Sequence, residues 1–100
     1  MYRIIITEKA EAEYENAYWY YEEKRSGLGA SYEHETNLLL KTIKANPLLF
    51  QRKYKQYREA LLKRFSYFIV YEIVFDVVVI HSFFHTSRNP AKKHPRKSRL

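Results

Sequence analysis

Residues 67–84 read Tyr-Phe-Ile-Val-Tyr-Glu-Ile-Val-Phe-Asp-Val-Val-Val-Ile-His-Ser-Phe-Phe, and this stretch decides the fold. Residues 67–74 and 77–84 are apolar at both odd and even positions, which is typical of strands that are covered on both faces. Residues 57–65 alternate more loosely between apolar and polar side chains. The pattern predicts three antiparallel strands. The turn between the last two lacks an Asn-Gly or Asp-Gly pair, which leaves their register open.

A strand and two helices are predicted upstream of this stretch. Residues 2–6, Tyr-Arg-Ile-Ile-Ile, form a short β-branched run that favours a strand. Residues 7–25 then form a first helix, which begins with a capping threonine, and residues 28–46 form a second. The second helix ends before Pro47, because the residue that precedes a proline avoids helical geometry. Both glycines of the chain lie within residues 26–29, which indicates a tight link and a helical hairpin.

Length and composition are those of a single small domain. The chain has 100 residues, of which 46% are apolar and 29% charged, so it is too short for two cores and too apolar for disorder. It has no cysteine, which excludes a disulfide framework and thiolate chemistry. No apolar run approaches the length of a membrane span, so we expect a cytoplasmic protein. The body covers residues 1–87, and residues 88–100 form a basic tail.

Charge is distributed unevenly along the chain. Residues 1–36 hold four Lys and Arg against eight Asp and Glu, whereas residues 37–100 hold fourteen against three. A field of this sign attracts polyanions such as nucleic acids and acidic protein segments. The charge therefore favours a partner that is a nucleic acid, a nucleic-acid machine or an acidic polypeptide, and a basic protein whose charge serves only its solubility is the competing interpretation.

Several short motifs occur in the order of these predicted elements, and together they resemble the RelE/ParE superfamily of type II toxin-antitoxin toxins, which includes plasmid stabilisation proteins. The resemblance implies an α+β fold of order β-α-α-β-β-β, in which a helical hairpin packs on a twisted antiparallel sheet. It also implies a cognate antitoxin as partner, in a toxin-antitoxin hetero-oligomer. The motifs are Ile5-Ile6-Thr7-Glu8-Lys9-Ala10, Gly27-Leu28-Gly29, Ile43-Lys44-Ala45-Asn46-Pro47, Tyr57-Arg58, residues 64–71 and residues 79–90.

The two branches of this superfamily differ in chemistry. RelE-like members cut messenger RNA on the ribosome, whereas ParE-like members block DNA gyrase without acting as nucleases. RNA cleavage needs a base, an acid and cations on the phosphorane. The resemblance implies that RelE-like toxins cut RNA with a cluster of Lys and Arg and a tyrosine near the C-terminus. Arg58 and Arg88 match two cationic positions of that pattern, but Phe68 and Ala60 stand where basic residues are expected. The tyrosine is missing too, because none follows Tyr71.

Histidine could replace the missing base, because its pKa lies near neutrality. His85, which follows the last predicted strand, is the best-placed candidate, and with Arg88 and Arg58 it completes a candidate catalytic set. His81 has the same strand parity as His85 and is the weaker candidate. For each histidine, an ordinary polar contact is the competing interpretation. His34 is expected on a solvated helix face.

Other residues are candidates for binding. Arg58 could hold a phosphate or an acidic partner, or could form a structural ion pair with Glu72. Part of the aromatic cluster Trp19, Tyr20 and Tyr21 must face outward, and we expect it to contact the antitoxin. No cofactor or metal site is expected. The predicted target-binding residues are Arg58, Arg64, Arg88, Lys92, Lys93, Arg96, Lys97 and Arg99.

The hypothesis from sequence is a ParE-like toxin that binds DNA gyrase through a basic sheet surface and tail. One alternative is a ribosome-dependent endoribonuclease that uses His85. A second alternative is a basic binding module that keeps the fold without toxicity.

Overall fold

The computed structural model describes residues 1–86, which form two helices and five strands. Short 3-10 turns lie at Pro47–Leu49 and Lys63–Phe65. No helix within these residues is long and apolar enough to cross a membrane. In chain order, the elements are β1 (Arg3–Ile6), α1 (Glu8–Lys24), α2 (Leu28–Ala45), β2 (Arg52–Tyr54), β3 (Tyr57–Leu62), β4 (Tyr67–Val74) and β5 (Val77–His85).

The five strands form one sheet in the order β1-β5-β4-β3-β2. The predicted α+β fold, with a helical hairpin on a sheet, is confirmed. Two details differ from the sequence prediction. β1 pairs with β5 in parallel, so the sheet is mixed, and a short edge strand, β2, precedes the three predicted antiparallel strands. Val74, the last residue of β4, pairs with Val77, the first residue of β5, so the turn between these strands has two residues. One of them, Phe75, has a positive φ of 56°.

The helical hairpin is closed by a carboxylate of the first helix. Gly27, with a φ of 88°, precedes α2 and has no side chain to cap it. Glu22 of α1 supplies the missing acceptor, because its two carboxylate oxygens accept hydrogen bonds from the amides of Gly27 at 3.0 Å and Gly29 at 2.9 Å. A Cβ on Gly29 would lie 2.9 Å from the carbonyl oxygen of Tyr18. Glycine is therefore required where the two helices approach each other.

The core lies between the helices and one face of the sheet, and aromatic side chains form much of it. Tyr32 of α2 is fully buried and contacts the rings of Tyr14, Tyr21, Phe65 and Tyr67 at centroid distances of 5.4–5.7 Å. Full burial of such a side chain stabilises the fold by about 1.5–3 kcal/mol. These large contact areas compensate for the small size of the domain.

An irregularity in β5 changes which residues face the helices. Val70 pairs with Ser82, but the next residue of β4, Tyr71, pairs with Ile80, so His81 is an extra residue in the ladder. Ile80 and Phe83 both belong to the core, although they differ in parity. We call the side of the sheet opposite the helices the outer face. The bulge places His81 on this face.

The sheet has two edge strands, β1 and β2. β5 continues beyond the end of β1, and Glu13 of α1 covers this part of its edge. The Glu13 carboxylate accepts hydrogen bonds from the Phe83 amide at 3.0 Å and the Ser82 hydroxyl at 2.9 Å. Lys9 forms a salt bridge with the same carboxylate. Among residues 1–86, no side chain forms such hydrogen bonds with the β1 edge.

Candidate functional site

Arg58 does not present its guanidinium on the outer face. It shares the helix side of the sheet with its partner in register, Tyr71. Its Nη1 donates a hydrogen bond of 2.6 Å to the carbonyl oxygen of Phe50, and the nearby Tyr71 hydroxyl donates one of 2.6 Å to the carbonyl oxygen of Pro47. Arg58 and Tyr71 therefore hold the segment between α2 and β2 against the sheet. The alternative ion pair with Glu72 is wrong, because Glu72 lies on the opposite face and pairs with His81.

His85 lies far from Arg58 along the sheet. It pairs in register with Tyr67, on the helix side, and its ring contacts the Tyr67 ring edge-on at 5.0 Å. Tyr67 and Tyr71 are four positions apart on β4, which separates His85 and Arg58 by about 13 Å along the strand. The third residue of the predicted catalytic set, Arg88, lies outside the described residues. Arg58 and His85 cannot contact one scissile phosphate in this arrangement.

The shared strand parity of His81 and His85 would place both on one face of the sheet. They lie on opposite faces, because the bulge at His81 shifts the register of β5. On the outer face, His81 Nε2 lies 2.8 Å from Glu72 Oε1, and its ring contacts Tyr57 edge-on at 5.5 Å. Burial, the Glu72 carboxylate and Tyr54 raise the pKa of the Tyr57 hydroxyl above its usual range. Sequence reasoning missed this cluster, because its residues come from three strands and only the register joins them.

Of the cations predicted to lie on one sheet surface, Arg58 is on the helix side of the sheet and Arg64 lies in the turn between β3 and β4. Residues 1–86 contain twelve Lys and Arg and eleven Asp and Glu, which makes the body nearly neutral. Arg64 is exposed in the turn between β3 and β4, where it lies 3.9 Å from Glu35 and over the Phe65 ring. An exposed ion pair of this length contributes little to stability. Arg64 therefore remains available to a partner.

The remaining positive charge of the sequence is concentrated after Thr86. Residues 87–100 hold six Lys and Arg and no carboxylate. The predicted target-binding residues there lie outside the described residues: Arg88, Lys92, Lys93, Arg96, Lys97 and Arg99.

The densest group of cations among residues 1–86 lies in β2 and in the turn that follows it. Arg52, Lys53 and Lys55 are exposed, and within residues 1–86 no ion pair joins them to a carboxylate. The Tyr54 ring stacks on Tyr57 at 6.4 Å, and the Lys55 ammonium lies 5.2 Å from the Tyr54 centroid. The sheet edge at β2 is thus positively charged and polar.

The aromatic cluster of α1 divides between surface and core. Trp19 and Tyr20 are 58% and 53% exposed, as expected of residues that contact a partner. Tyr21 faces inward, where its hydroxyl donates a 2.9 Å hydrogen bond to the carbonyl oxygen of Phe65 and its ring contacts Tyr32. The expectation of an antitoxin contact by Tyr21 therefore conflicts with its place in the core. His34 is exposed on α2, as the sequence indicates.

No group of three or more possible metal ligands occurs among residues 1–86. The surface of the described chain carries exposed aromatic residues on α1 and a cationic sheet edge at β2.

A helical hairpin on a five-stranded mixed sheet, in this order, matches the fold of the ParE toxins. The family model for the ParE toxin of the type II toxin-antitoxin system parDE matches residues 4–90, and the chain belongs to this family. The predicted resemblance is confirmed. A comparison with curated proteins finds no match.

Among solved structures, the chain is similar to one described as the chromosomal ParDE TA system from P. aeruginosa. The TM-score is 0.66 with 13% sequence identity, and the match covers 87% of this chain and 98% of the other. At this identity, the likeness supports the fold and not the details of the site.

Proposed function

We propose that this chain is a cytoplasmic toxin that inhibits DNA gyrase by binding and is neutralised by a cognate antitoxin. Membership of the ParE toxin family supports the toxin. The separation of Arg58 from His85 supports binding over RNA cleavage, because the two groups cannot serve one phosphate and the Arg58 guanidinium bonds to the Phe50 carbonyl. This separation is the observation on which the proposal depends.

The charge distribution supports an electrostatic contact with the target. The body is nearly neutral, so the net charge of +7 comes mainly from the six cations of residues 87–100. We assign the contact to Arg64 and to the cations of this terminal segment, while Arg58 holds the segment between α2 and β2 against the sheet. Attraction between a basic segment and a polyanionic complex of enzyme and DNA weakens as salt is added.

The antitoxin contact is assigned to the exposed aromatic pair Trp19 and Tyr20. Aromatic side chains contribute large contact areas at protein interfaces and lose little conformational entropy on binding. The ammonium of Lys24 lies 4.8 Å from the Tyr20 centroid and gives this surface a positive rim, which suits an acidic or amphipathic helix.

The proposal is tested with the purified full chain in two assays: supercoiling by gyrase, and cleavage of messenger RNA on programmed ribosomes. We expect inhibition of supercoiling and intact RNA. Replacing two terminal cations, Lys92→Gln with Lys93→Gln, should weaken inhibition about three- to tenfold, since each exposed charge contributes about 0.2–1 kcal/mol. The matched control is Lys24→Gln with Arg25→Gln at the end of α1, which should inhibit like the parent chain.

Other outcomes select the alternatives. RNA cleavage that is lost in His85→Ala would establish the endoribonuclease and overturn the binding mechanism. Normal growth on expression of the chain alone would leave the non-toxic binding module. Growth arrest that is relieved by the polypeptide of an adjacent gene supports the toxin and identifies its antitoxin.

A further inference from the structure

Part of the outer face of the sheet is buried, although both helices pack on the other face. Among residues 1–86, three buried apolar residues do not belong to the core between the helices and the sheet: Tyr57, Val70 and Phe84. Each lies on the outer face, because its neighbours along the strand face the helices. The three residues are 5%, 0% and 4% exposed, respectively.

The sheet alone cannot bury Val70 completely. Val70 pairs in register with Glu59 on one side and with Ser82 on the other. Side chains of neighbouring strands stand beside one another, roughly perpendicular to the sheet, so they leave the tip of a short side chain open to solvent. A fully buried valine on this face therefore needs a further layer above it. Among residues 1–86, the five strands all belong to the sheet and both helices lie beneath it, so they do not supply this layer.

The same part of the outer face buries a carboxylate. Glu59, the neighbour of Val70 in the sheet, is only 8% exposed. Moving a charged carboxylate out of water is costly unless a cation lies against it. The layer above the outer face must therefore supply positive charge as well as apolar contact.

The chain that follows β5 meets both requirements. The Thr86 amide donates a 2.9 Å hydrogen bond to the Ser66 carbonyl oxygen, so the described chain ends beside the turn that precedes β4. Phe84 lies at this end of the outer face. Residues 87–100 follow, with six Lys and Arg and no Asp or Glu. An extended chain advances about 3.3 Å per residue, so this segment is long enough to cross the whole face.

We propose that residues 87–100 turn back across the outer face of the sheet, where they cover Val70 and Phe84, and that Arg88 forms an ion pair with Glu59. Arg88 is three residues beyond His85, and three positions along β4 also separate the pairing partner of His85 from that of Glu59. The alkyl stems of Arg and Lys cover apolar surface while their charged ends reach water, which suits a segment with few apolar residues.

This arrangement divides the terminal cations into two groups. Arg88 holds the segment on the sheet. Five cations remain for the electrostatic contact with the target, and the sheet holds them on one surface instead of leaving them on a loose arm: Lys92, Lys93, Arg96, Lys97 and Arg99.

A second copy of the chain is a poorer occupant of this face. Two copies that pack the same face against each other form a symmetric contact, in which each patch meets its own equivalent. The Glu59 carboxylates of the two copies would then be buried near each other, and like charges repel most strongly where water is excluded. A cationic segment without carboxylates has no such conflict.

Nuclear magnetic resonance of the full chain with a soluble paramagnetic reagent tests the cover over Val70. The reagent broadens the signals of methyl groups that reach solvent. The Val70 methyl signals should remain sharp, whereas those of Val74, which is 40% exposed on the same face, should broaden. In Arg88→Glu, which places a second carboxylate beside Glu59, the Val70 signals should broaden as well. The matched control, Arg99→Glu, should leave them sharp.

Urea unfolding supplies a second measurement, which is specific for the ion pair. Arg88→Glu should raise the equilibrium constant for unfolding about tenfold or more, because it leaves Glu59 buried against a like charge. Exchanging the two charges, in Glu59→Arg with Arg88→Glu, should restore most of this loss. Glu59→Arg with Arg99→Glu is the matched control and should show no rescue.

The other outcomes contradict the proposal. Broadening of the Val70 methyl signals in the parent chain would show that no layer covers this face. Protection of Val70 that disappears on dilution would assign the cover to a second copy of the chain. Protection that persists in Arg88→Glu, or the absence of rescue when the charges are exchanged, would show that Arg88 does not hold the segment through Glu59. Each measurement uses the chain alone, so its result is independent of the toxin assignment.

Discussion

The two edge strands of the sheet differ in almost every property that controls strand addition. β2 has three exposed residues, an irregular register between Arg52 and Tyr54, and lysines at and beside the strand. Short length, irregular pairing and lysine side chains are the features by which soluble proteins prevent another strand from joining an edge. β1 is also short, with four residues, but they pair regularly, three are isoleucine and none is lysine.

The difference indicates which edge of the sheet can accept a further strand. An apolar, regular edge is an aggregation hazard unless a partner covers it, and a protein that spends part of its existence in a complex can retain such an edge. The cationic edge at β2 needs no cover and is suited to remain in solvent. In this chain, one edge of the sheet therefore has features that permit another strand to pair, and the other has features that oppose it.

The first test places a carboxylate on each edge strand, and we expect the largest loss of folding stability at β1. Ile4→Asp should lower the free energy of unfolding by about 2–3 kcal/mol, because Ile4 packs on the core opposite the fully buried Val78. Arg52→Asp in exposed β2 should change it by less than about 0.5 kcal/mol. Urea unfolding followed by circular dichroism measures both. Equal losses in the two variants would mean that β1 is not anchored by its apolar contacts.

Alkaline pH should weaken the anchors beneath both edges. Burial raises the pKa of Tyr14, which lies near Ile6 of β1, to about 12. Burial also raises the pKa of Tyr71, which bonds to the segment before β2, to about 12, and Arg58 partly opposes this second shift. The unfolded chain releases these protons near pH 10. The stability is therefore complete below pH 10 and is lost as the pH rises from about 10 to about 12.

Tyr71→Phe isolates one part of this pH dependence. We expect the free energy of unfolding of the variant to fall less steeply between pH 10 and 12 than that of the parent chain, by about 1–2 kcal/mol over the interval. At neutral pH the variant should be less stable, because the Pro47 carbonyl loses its 2.6 Å hydrogen bond. Tyr54→Phe, at an exposed site, is the control. Parallel pH profiles for all three chains would contradict the role given to Tyr71.

Local signals in the sequence predicted the elements well. The Thr7 hydroxyl caps α1 by accepting from the Ala10 amide at 3.1 Å, and β4 has the predicted bounds of residues 67–74. These features depend on neighbouring residues, so a single sequence contains the information. The order of predicted elements, together with the short motifs that lie along it, also suggested the superfamily.

Contacts between distant parts of the chain could not be predicted in the same way. The bulge at His81 has no glycine or proline to signal it, and it reverses the face of every later residue of β5. The parallel pairing of β1 with β5 joins residues more than seventy positions apart, and no local pattern encodes it. For the same reason, the site prediction could not foresee that the Arg58 guanidinium would bond to the Phe50 carbonyl oxygen.

The smallest expected effect comes from making β2 chemically similar to β1. Lys53→Val removes a lysine from the exposed edge and adds a β-branched residue, yet it should change the free energy of unfolding by less than about 0.5 kcal/mol. We also expect no self-association in sedimentation measurements, because the strand remains three residues long with an irregular register. A dimer of the Lys53→Val chain, absent from the parent and from Lys24→Val on α1, would show that the lysine rather than the geometry protects this edge. The contrast between the edges would then depend on side-chain charge, and a single substitution would be enough to reverse it.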